Sequence, residues 1–230
     1  ARSDARLKFQ VVKGEMSYNY DLPGDGTPII VPINMGDGPY TFRVMQNTSG
    51  NNYVELFSVI DNVNLSSETA PYLVPNVFVN YNESSAVVAK ARELAQGAAN
   101  QGDVVRNIYQ WVVDNITYDH DKAAQLASAT GYVPDPDATL AAGTGICFDY
   151  ASLGAAMLRS LGIPCQVITG YVSPDDVYHA WNMVYIDGEW ISVEISIKPN
   201  SWTRVDLTFA ASGAASTIGD GTSYTDRYTY

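Results

Sequence analysis

The apolar pattern of this chain changes near Asn82, and the change limits the fold more than any other feature. Before it, short runs of alternating or β-branched residues at 7–11, 29–31, 40–44 and 53–57 are separated by turn signals. After it, apolar residues recur at helical spacing, and strand-like runs return only beyond Gly162. This order predicts an α+β layout with two parts, residues 1–80 and residues 81–230.

The first part reads as a small antiparallel sheet or sandwich module. Glycine-rich and asparagine-rich segments at 23–26, 36–38 and 49–52 are strong turn signals. Gly36, Asp37 and Gly38 lie between two apolar runs, so we predict a hairpin loop there. Nothing in this part has the pattern of a catalytic cluster, and a structural or binding module is the favoured interpretation.

The second part reads as helices followed by an antiparallel sheet. We predict one helix after Ser84, a second after Asp103 and a third from Cys147 to the stop at Gly162, with a proline-containing loop over residues 130–144. Strands are predicted at 166–170, 179–186, 190–197 and 202–207. Asp187 and Gly188 form a strong hairpin signal between the second and third of these strands.

Charge and composition exclude several classes of protein. Lys and Arg total 13 and Asp and Glu total 25, a net charge of −12, so no basic footprint for nucleic acid exists. No apolar run reaches the length of about 18 residues that a transmembrane helix needs. Two cysteines do not make a disulfide scaffold. We predict no cofactor and no metal. Because the chain starts at Ala1 without a methionine or signal peptide, we expect a mature or trimmed form.

Cys147 opens a predicted helix, where free backbone N–H groups and a partial positive charge stabilise a thiolate and an oxyanion. His179 starts a predicted strand and is one of two histidines, so the two residues could form a cysteine–histidine pair. A buried cysteine and a structural histidine are the alternatives. A catalytic triad also needs a carboxylate that orients the imidazole. Asp206 and Glu194 are the two candidates, since each follows a tryptophan and three further residues, and spacing does not choose between them.

Three motifs in order resemble the transglutaminase-like superfamily. The first is the predicted helix of residues 108–119. The second is Gly145 to Ala151 around the cysteine, with Leu158 to Pro164 at the end of the same helix, and the third is His179 to Asn182. The resemblance covers roughly residues 84–230. It implies a papain-like core in which a helix bearing Cys147 packs on an antiparallel sheet, with Cys147, His179 and Asp206 as catalytic residues. Asp206 is favoured over Glu194 because residues 206–212 match a pattern of extracellular bacterial members.

The resemblance also implies a reaction and a location. We expect a cysteine peptidase or amidase that acts on a peptide or protein substrate, with cell-wall peptide as one candidate and crosslinking as a second outcome. We expect it outside the cell or at the cell surface. The rival interpretation is a non-catalytic binding protein that retains the fold. The sequence makes no prediction of oligomeric state.

The remaining candidates have weaker roles. Tyr118 and Trp181 are the predicted substrate-contacting aromatics, although aromatics of this kind are more often core residues. Asp149 is expected to have a structural role, orienting the start of the helix or a neighbouring backbone segment. His120, flanked by two aspartates, lacks further metal ligands at suitable spacing and reads as part of a solvated loop. Cys165 reads as core, and a Cys147–Cys165 disulfide is not expected.

Overall fold

The computed structural model describes residues 1–172, 177–191 and 224–230. The chain divides into two compact units, Ala1–Pro71 and Tyr72–Tyr230. The predicted division at about residue 80 falls inside the second unit. A short 3-10 turn, Ala70–Tyr72, lies at the division.

The first unit is a four-stranded antiparallel sheet. Its strands are β1 (Leu7–Lys13), β2 (Met16–Leu22), β3 (Gly38–Ser49) and β4 (Asn52–Val63), in the order β2-β1-β3-β4. Gly50, at a φ of 53°, lies in the predicted turn between β3 and β4. The predicted antiparallel sheet is therefore present, with β2 as an additional strand.

The apolar run at residues 29–31 is not a strand, which corrects the sequence interpretation. Pro28 and Pro32 flank it, and proline cannot donate to a sheet ladder. The glycine-rich segment at 36–38 consequently leads into β3 and does not join two strands. Gly36 and Gly38 adopt φ values of 72° and 124°, which only glycine tolerates readily.

The second unit contains five helices in its described part and an antiparallel sheet. The helices are α1 (Ala86–Leu94), α2 (Gln101–Asn115), α3 (His120–Leu126), α4 (Pro136–Ala142) and α5 (Cys147–Ser160). Two short strands, β5 (Thr117–Tyr118) and β6 (Thr144–Gly145), pair in parallel. The main sheet has the order β10-β7-β8-β9, formed by β7 (Cys165–Val172), β8 (Val177–Ile186), β9 (Glu189–Ile191) and β10 (Tyr224–Thr229).

Helix α4 lies where the sequence predicted a loop. Pro136 is its first residue, Asp135 is its N-cap and accepts from the Ala138 N–H at 3.0 Å, and Gly143 ends it with a φ of 64°. Proline just inside the start and glycine just past the end are typical helix boundaries, so the segment predicted as a loop contains a helix. The predicted loop at His120 is likewise a helix, because the Asp119 carboxylate caps it through the Lys122 N–H at 2.8 Å.

Helix α5 forms the centre of the second unit. Residues 149–159 of the helix are all buried. Its apolar side chains share one core with Val167, Ala180 and Val184 of the sheet and with buried residues of α1 and α2. The α+β prediction is therefore confirmed, with a cysteine-bearing helix packed on an antiparallel sheet and a small β unit before it.

Some expectations concern residues outside the described ranges. The predicted strand at 202–207 and most of the strand predicted at 190–197 lie there, together with Asp206 and Glu194. The Asp187-Gly188 hairpin between β8 and β9 is confirmed, with φ values of 53° and 90°. In the ranges that are described, no helix is long and apolar enough to cross a membrane.

Candidate functional site

Cys147 is the first residue of α5, as the sequence predicted. It is partly exposed and packs at the edge of the core. Its N-cap is Ile146, with an extended backbone of φ −94° and ψ 176°. Isoleucine has no side-chain oxygen, so it cannot accept the N–H groups of the first helical turn as serine or aspartate would.

The first-turn N–H groups are therefore available donors. The first bond of the helix runs from the Tyr150 N–H to the Ile146 carbonyl at 3.0 Å. Within the described ranges, no protein atom accepts a hydrogen bond from the backbone N–H groups of Cys147, Phe148 or Asp149. Donors fixed in this way next to a thiol are what an oxyanion hole requires.

A buried polar cluster holds the start of α5. The Asp149 carboxylate is fully buried and accepts from the Ile146 N–H at 2.8 Å and from Lys122 Nζ at 2.6 Å. The Tyr132 hydroxyl donates to its other oxygen. The expectation that Asp149 orients the helix start is confirmed. We name Lys122, Tyr132 and Asp149 the helix-start cluster.

The cluster alters the protonation of its own members. Burial lowers the pKa of Lys122, but its hydrogen bonds to Asp149 and Tyr132 outweigh burial and leave that pKa above its usual value. Burial, aided by the hydrogen bond to Asp149, raises the pKa of Tyr132 to about 12. Lys122 therefore stays charged and Tyr132 stays neutral at neutral pH.

The sequence interpretation missed Lys122 and Tyr132. They lie 27 and 17 residues from Asp149 along the chain, on separate segments that only the tertiary fold brings together. No local pattern marks either residue.

His179 lies in β8 and is 6% exposed. Its backbone is opposite Gly170 of β7, and its ring is 6.4 Å from that of Trp181. A Cβ at Gly170 would lie 2.0 Å from the Thr225 carbonyl oxygen, so glycine is required for β10 to approach β7 there.

Cys147 and His179 lie toward the same end of the helix and sheet. Near the middle, Asn182 donates from Nδ2 to the Ala151 carbonyl at 2.9 Å. At the far end, Arg159 Nε donates to the Cys165 carbonyl at 2.8 Å, and Cys165 is opposite Val184. Helix α5 therefore runs in the same direction as β8, and both begin at the same end.

The side chains of β8 alternate between the two faces of the sheet. Ala180, Asn182 and Val184 meet α5 or its core, whereas Trp181 packs with Ile168 and Tyr224 in a separate cluster. His179 is on the side of Trp181 by this alternation. A contact between the Cys147 thiol and the His179 ring stays a prediction, as does the role of Asp206, which is outside the described residues.

The two predicted substrate-contacting aromatics have different surroundings. Tyr118 is half-buried in β5, beside β6, and the next residue, Asp119, donates from its N–H to the Gly145 carbonyl at 3.0 Å. Tyr118 therefore adjoins the loop that leads to Cys147. Trp181 is 1% exposed, which is the environment of a core residue. Substrate contact by either stays a prediction.

The second cysteine differs from the first. Cys165 is fully buried, and burial raises the pKa of its thiol to about 12. Both cysteines are free, so the expectation of a core Cys165 without a disulfide is confirmed. Across the described ranges, no three His, Cys, Asp or Glu side chains gather closely enough to hold a metal ion.

Known proteins similar to this chain fall into several groups. It is 33% identical over 120 residues to cytokinesis protein 3 of Schizosaccharomyces pombe, covering 46% of this chain and 12% of the relative. It is 31% identical over 112 residues to the mouse kyphoscoliosis peptidase, covering 44% of this chain and 16% of that protein. A UPF0252 protein of Methanocaldococcus jannaschii is 25% identical over 199 residues, covering 82% of this chain and 54% of that protein. The chain thus spans about half or less of each of these relatives.

Two solved structures show a weaker likeness. A proposed cysteine protease from Cytophaga hutchinsonii has a TM-score of 0.45 at 18% identity, over 81% of this chain and 70% of that one. Red sea bream transglutaminase has a TM-score of 0.35 at 13% identity, over 88% and 45%. At such scores neither likeness supports a conclusion about this chain.

The family model gives the assignment. A model of the transglutaminase-like superfamily matches residues 88–206, just over half of the chain, and this stretch includes the start of α5 and the whole of β8. The motifs quoted from the sequence lie within or beside the same stretch. The chain therefore belongs to the transglutaminase-like superfamily, a family of thiol-dependent enzymes.

Proposed function

We propose that this chain catalyses thiol-dependent acyl transfer on a peptide or carboxamide substrate, with hydrolysis as the main outcome. Cys147 attacks the carbonyl carbon, and the carbon–nitrogen bond breaks to leave a thioester. His179 takes the thiol proton and delivers it to the leaving amine, while Asp206 orients the imidazole. Water then attacks the thioester to release a carboxylic acid. A primary amine in place of water gives a crosslink.

The observation that carries the proposal is the position of Cys147 on α5. Its thiol is partly exposed at the first helical residue, next to N–H groups that have no acceptor among the described residues. A helix N-terminus stabilises both a thiolate and the oxyanion that forms when the thiolate attacks a carbonyl. Hydrogen bonds from Ile146 and Lys122 to Asp149 hold this geometry before substrate binds.

One observation favours a second function, a binding protein that retains the fold without catalysis. His179 is almost fully buried and lies on the Trp181 side of β8, which is an ordinary environment for a structural histidine. On this second reading Cys147 would react without help from the imidazole. We also propose that the chain acts outside the cell or at the cell surface.

Product analysis with matched cysteine variants tests the proposal. The protein is incubated with casein and a fluorescent primary amine, and new amino termini, released ammonia and amine incorporation are measured together. Cys147→Ser should abolish every product, whereas Cys165→Ala should retain them because the Cys165 thiol is buried and protonated. Products that persist in Cys147→Ser would contradict the proposal, and the ratio of acid to amine adduct separates hydrolysis from crosslinking.

A further inference from the structure

A continuous row of aromatic rings and one arginine connects Phe148, the residue after Cys147, to Tyr178, the residue before His179. Ring centroids are 6.5 Å apart for Phe148 and Tyr230 and 6.2 Å apart for Tyr230 and Tyr228. The row continues to Arg227, whose guanidinium is 5.3 Å from the Tyr228 centroid. We call this set, completed by two tyrosines of β7 and β8, the aromatic–arginine row: Phe148, Tyr171, Tyr178, Arg227, Tyr228 and Tyr230.

The end of the row is held by specific contacts. Arg227 donates from Nη1 to the Tyr171 hydroxyl at 3.0 Å, and the rings of Tyr171 and Tyr178 are 5.4 Å apart in an edge-on arrangement. The Tyr178 hydroxyl donates to Thr169 Oγ1 at 2.8 Å. These contacts fix the orientation of the rings and of the guanidinium in the absence of a ligand.

Tyr171 and Tyr178 lie on the side of the sheet that α5 covers, but beyond the start of the helix. Tyr178 is opposite Tyr171 and is four residues before Asn182, which contacts Ala151. Four strand residues span about 13 Å, whereas the four helical residues from Ala151 back to Cys147 span about 6 Å. The tyrosine pair is therefore about 7 Å past Cys147 along the strand direction.

The row is open to a ligand and carries a positive charge. Tyr178 is 49% exposed, and Arg227 is exposed. Among the ion pairs of the described ranges, none includes Arg227. Within the described residues, the hydrogen-bond partners of the guanidinium are the Tyr171 and Tyr228 hydroxyls, so they leave at least two of its five N–H donors for a carboxylate. In a chain of net charge −12, this cation is complementary to an anionic group.

We propose that the aromatic–arginine row is the subsite that binds the residue flanking the scissile amide, and that it selects a peptide with a carboxylate there. The rings contact the apolar stem of that residue, and Arg227 binds its carboxylate. The inference rests on the proposed acyl transfer at Cys147 and adds the substrate class to it.

Peptide probes that label Cys147 test the subsite. Acetyl-Ala-Glu, acetyl-Ala-Gln and acetyl-Ala-Lys vinyl sulfones, in which the vinyl sulfone replaces the carboxyl group of the last residue, are compared by intact mass, with iodoacetamide as a probe too small to reach the row. The Glu probe should label about fivefold faster than the Gln probe, as expected of an ion pair near the surface. Arg227→Gln should bring the two rates together, and Arg227→Lys should restore part of the difference. Arg92→Gln, at an exposed arginine of α1, is the matched control.

The outcomes separate this inference from the proposed function. If no probe labels Cys147 in the parent, the proposed function fails. If the probes label Cys147 but the Glu/Gln ratio is the same in the parent and Arg227→Gln, the subsite is wrong and the proposed function stands. Faster labelling by the Lys probe would also overturn the subsite, since the rings would then be selecting a cation. The iodoacetamide rate should be equal in the parent and Arg227→Gln, which shows that the thiol itself is unaltered.

Discussion

Removing the Asp149 carboxylate should lower the unfolding free energy of the second unit more than a change at a surface residue, because it destroys the helix-start cluster. The carboxylate is fully buried and accepts from Ile146, Lys122 and Tyr132. Breaking a buried ion pair by removing one partner costs about 3 to 5 kcal/mol of unfolding free energy. The Lys122 side chain is 31% exposed, so water partly solvates the ammonium left behind. We therefore expect about 3 kcal/mol for Asp149→Ala, at the lower end of that range.

Asp149→Asn and a double-mutant cycle refine the expected loss. The asparagine keeps an oxygen for the Ile146 N–H but loses the charge, so about 2 kcal/mol should be lost. Combined with Lys122→Met, the change should be less than the sum of the two single changes by about 1 to 2 kcal/mol, since both remove the same ion pair. Asp114→Ala, at an exposed carboxylate near the end of α2, should change the unfolding free energy by less than about 0.5 kcal/mol.

Urea unfolding followed by tryptophan fluorescence measures these changes in the second unit alone. All four tryptophans lie beyond residue 110, so the first unit contributes no tryptophan signal. A loss of about 3 kcal/mol corresponds to a fall of roughly 6 to 12 °C in Tm for a unit of this size. A loss below about 1 kcal/mol for Asp149→Ala, or strict additivity in the cycle, would refute the role assigned to the cluster.

Three further predictions concern pH, a buried arginine and a glycine. The unfolding free energy should fall as pH rises from 10.0 to about 12, because folding raises the Tyr132 pKa over this range. The neutral phenol stabilises the folded protein fully below pH 10.0, and this stabilisation is lost as the phenol ionises in the folded protein. Urea titration at a series of pH values should show a shallower fall for Tyr132→Phe, and an unchanged slope would contradict this. Arg159 is 2% exposed and donates to three backbone carbonyls, so Arg159→Ala should lose about 3 kcal/mol in urea unfolding, whereas Arg106→Ala at an exposed ion pair should lose less than about 1 kcal/mol. Gly145→Ala would bring a Cβ to 2.7 Å from the Asp149 Cβ, so it should lower stability by about 1 to 3 kcal/mol and slow Cys147 alkylation; parent-like values in both assays would show that the loop adjusts freely.

The sequence predicted the helix and the turns that local chemistry determines. Helix α5 begins at Cys147, and Gly162 follows its end with a φ of 75°, as the Gly-Ile-Pro stop indicated. The hairpin at Asp187 and Gly188 was also predictable, because both residues tolerate the left-handed region that a tight hairpin needs.

What the sequence did not reveal depends on contacts between distant segments. The helix-start cluster joins Lys122, Tyr132 and Asp149 from three segments, so no short pattern contains it. Strand β10 is defined by its pairing with β7 more than fifty residues earlier in the chain. Helix α4 is different, since its boundary residues Asp135, Pro136 and Gly143 are visible in the sequence, and only the prediction of a loop there was wrong.

The proposed mechanism depends on a thiolate–imidazolium pair formed by Cys147 and His179. The most direct measurement is the rate of Cys147 alkylation by iodoacetamide in the parent and in His179→Ala, from about pH 5 to about pH 9. Cys165 should not contribute in the folded protein, because burial raises the pKa of its thiol to about 12. We expect fast alkylation of the parent at the acidic end and a shift of the His179→Ala profile toward higher pH. Coincident profiles for the two proteins would show that His179 does not assist the Cys147 thiol and would favour a binding protein that retains the fold.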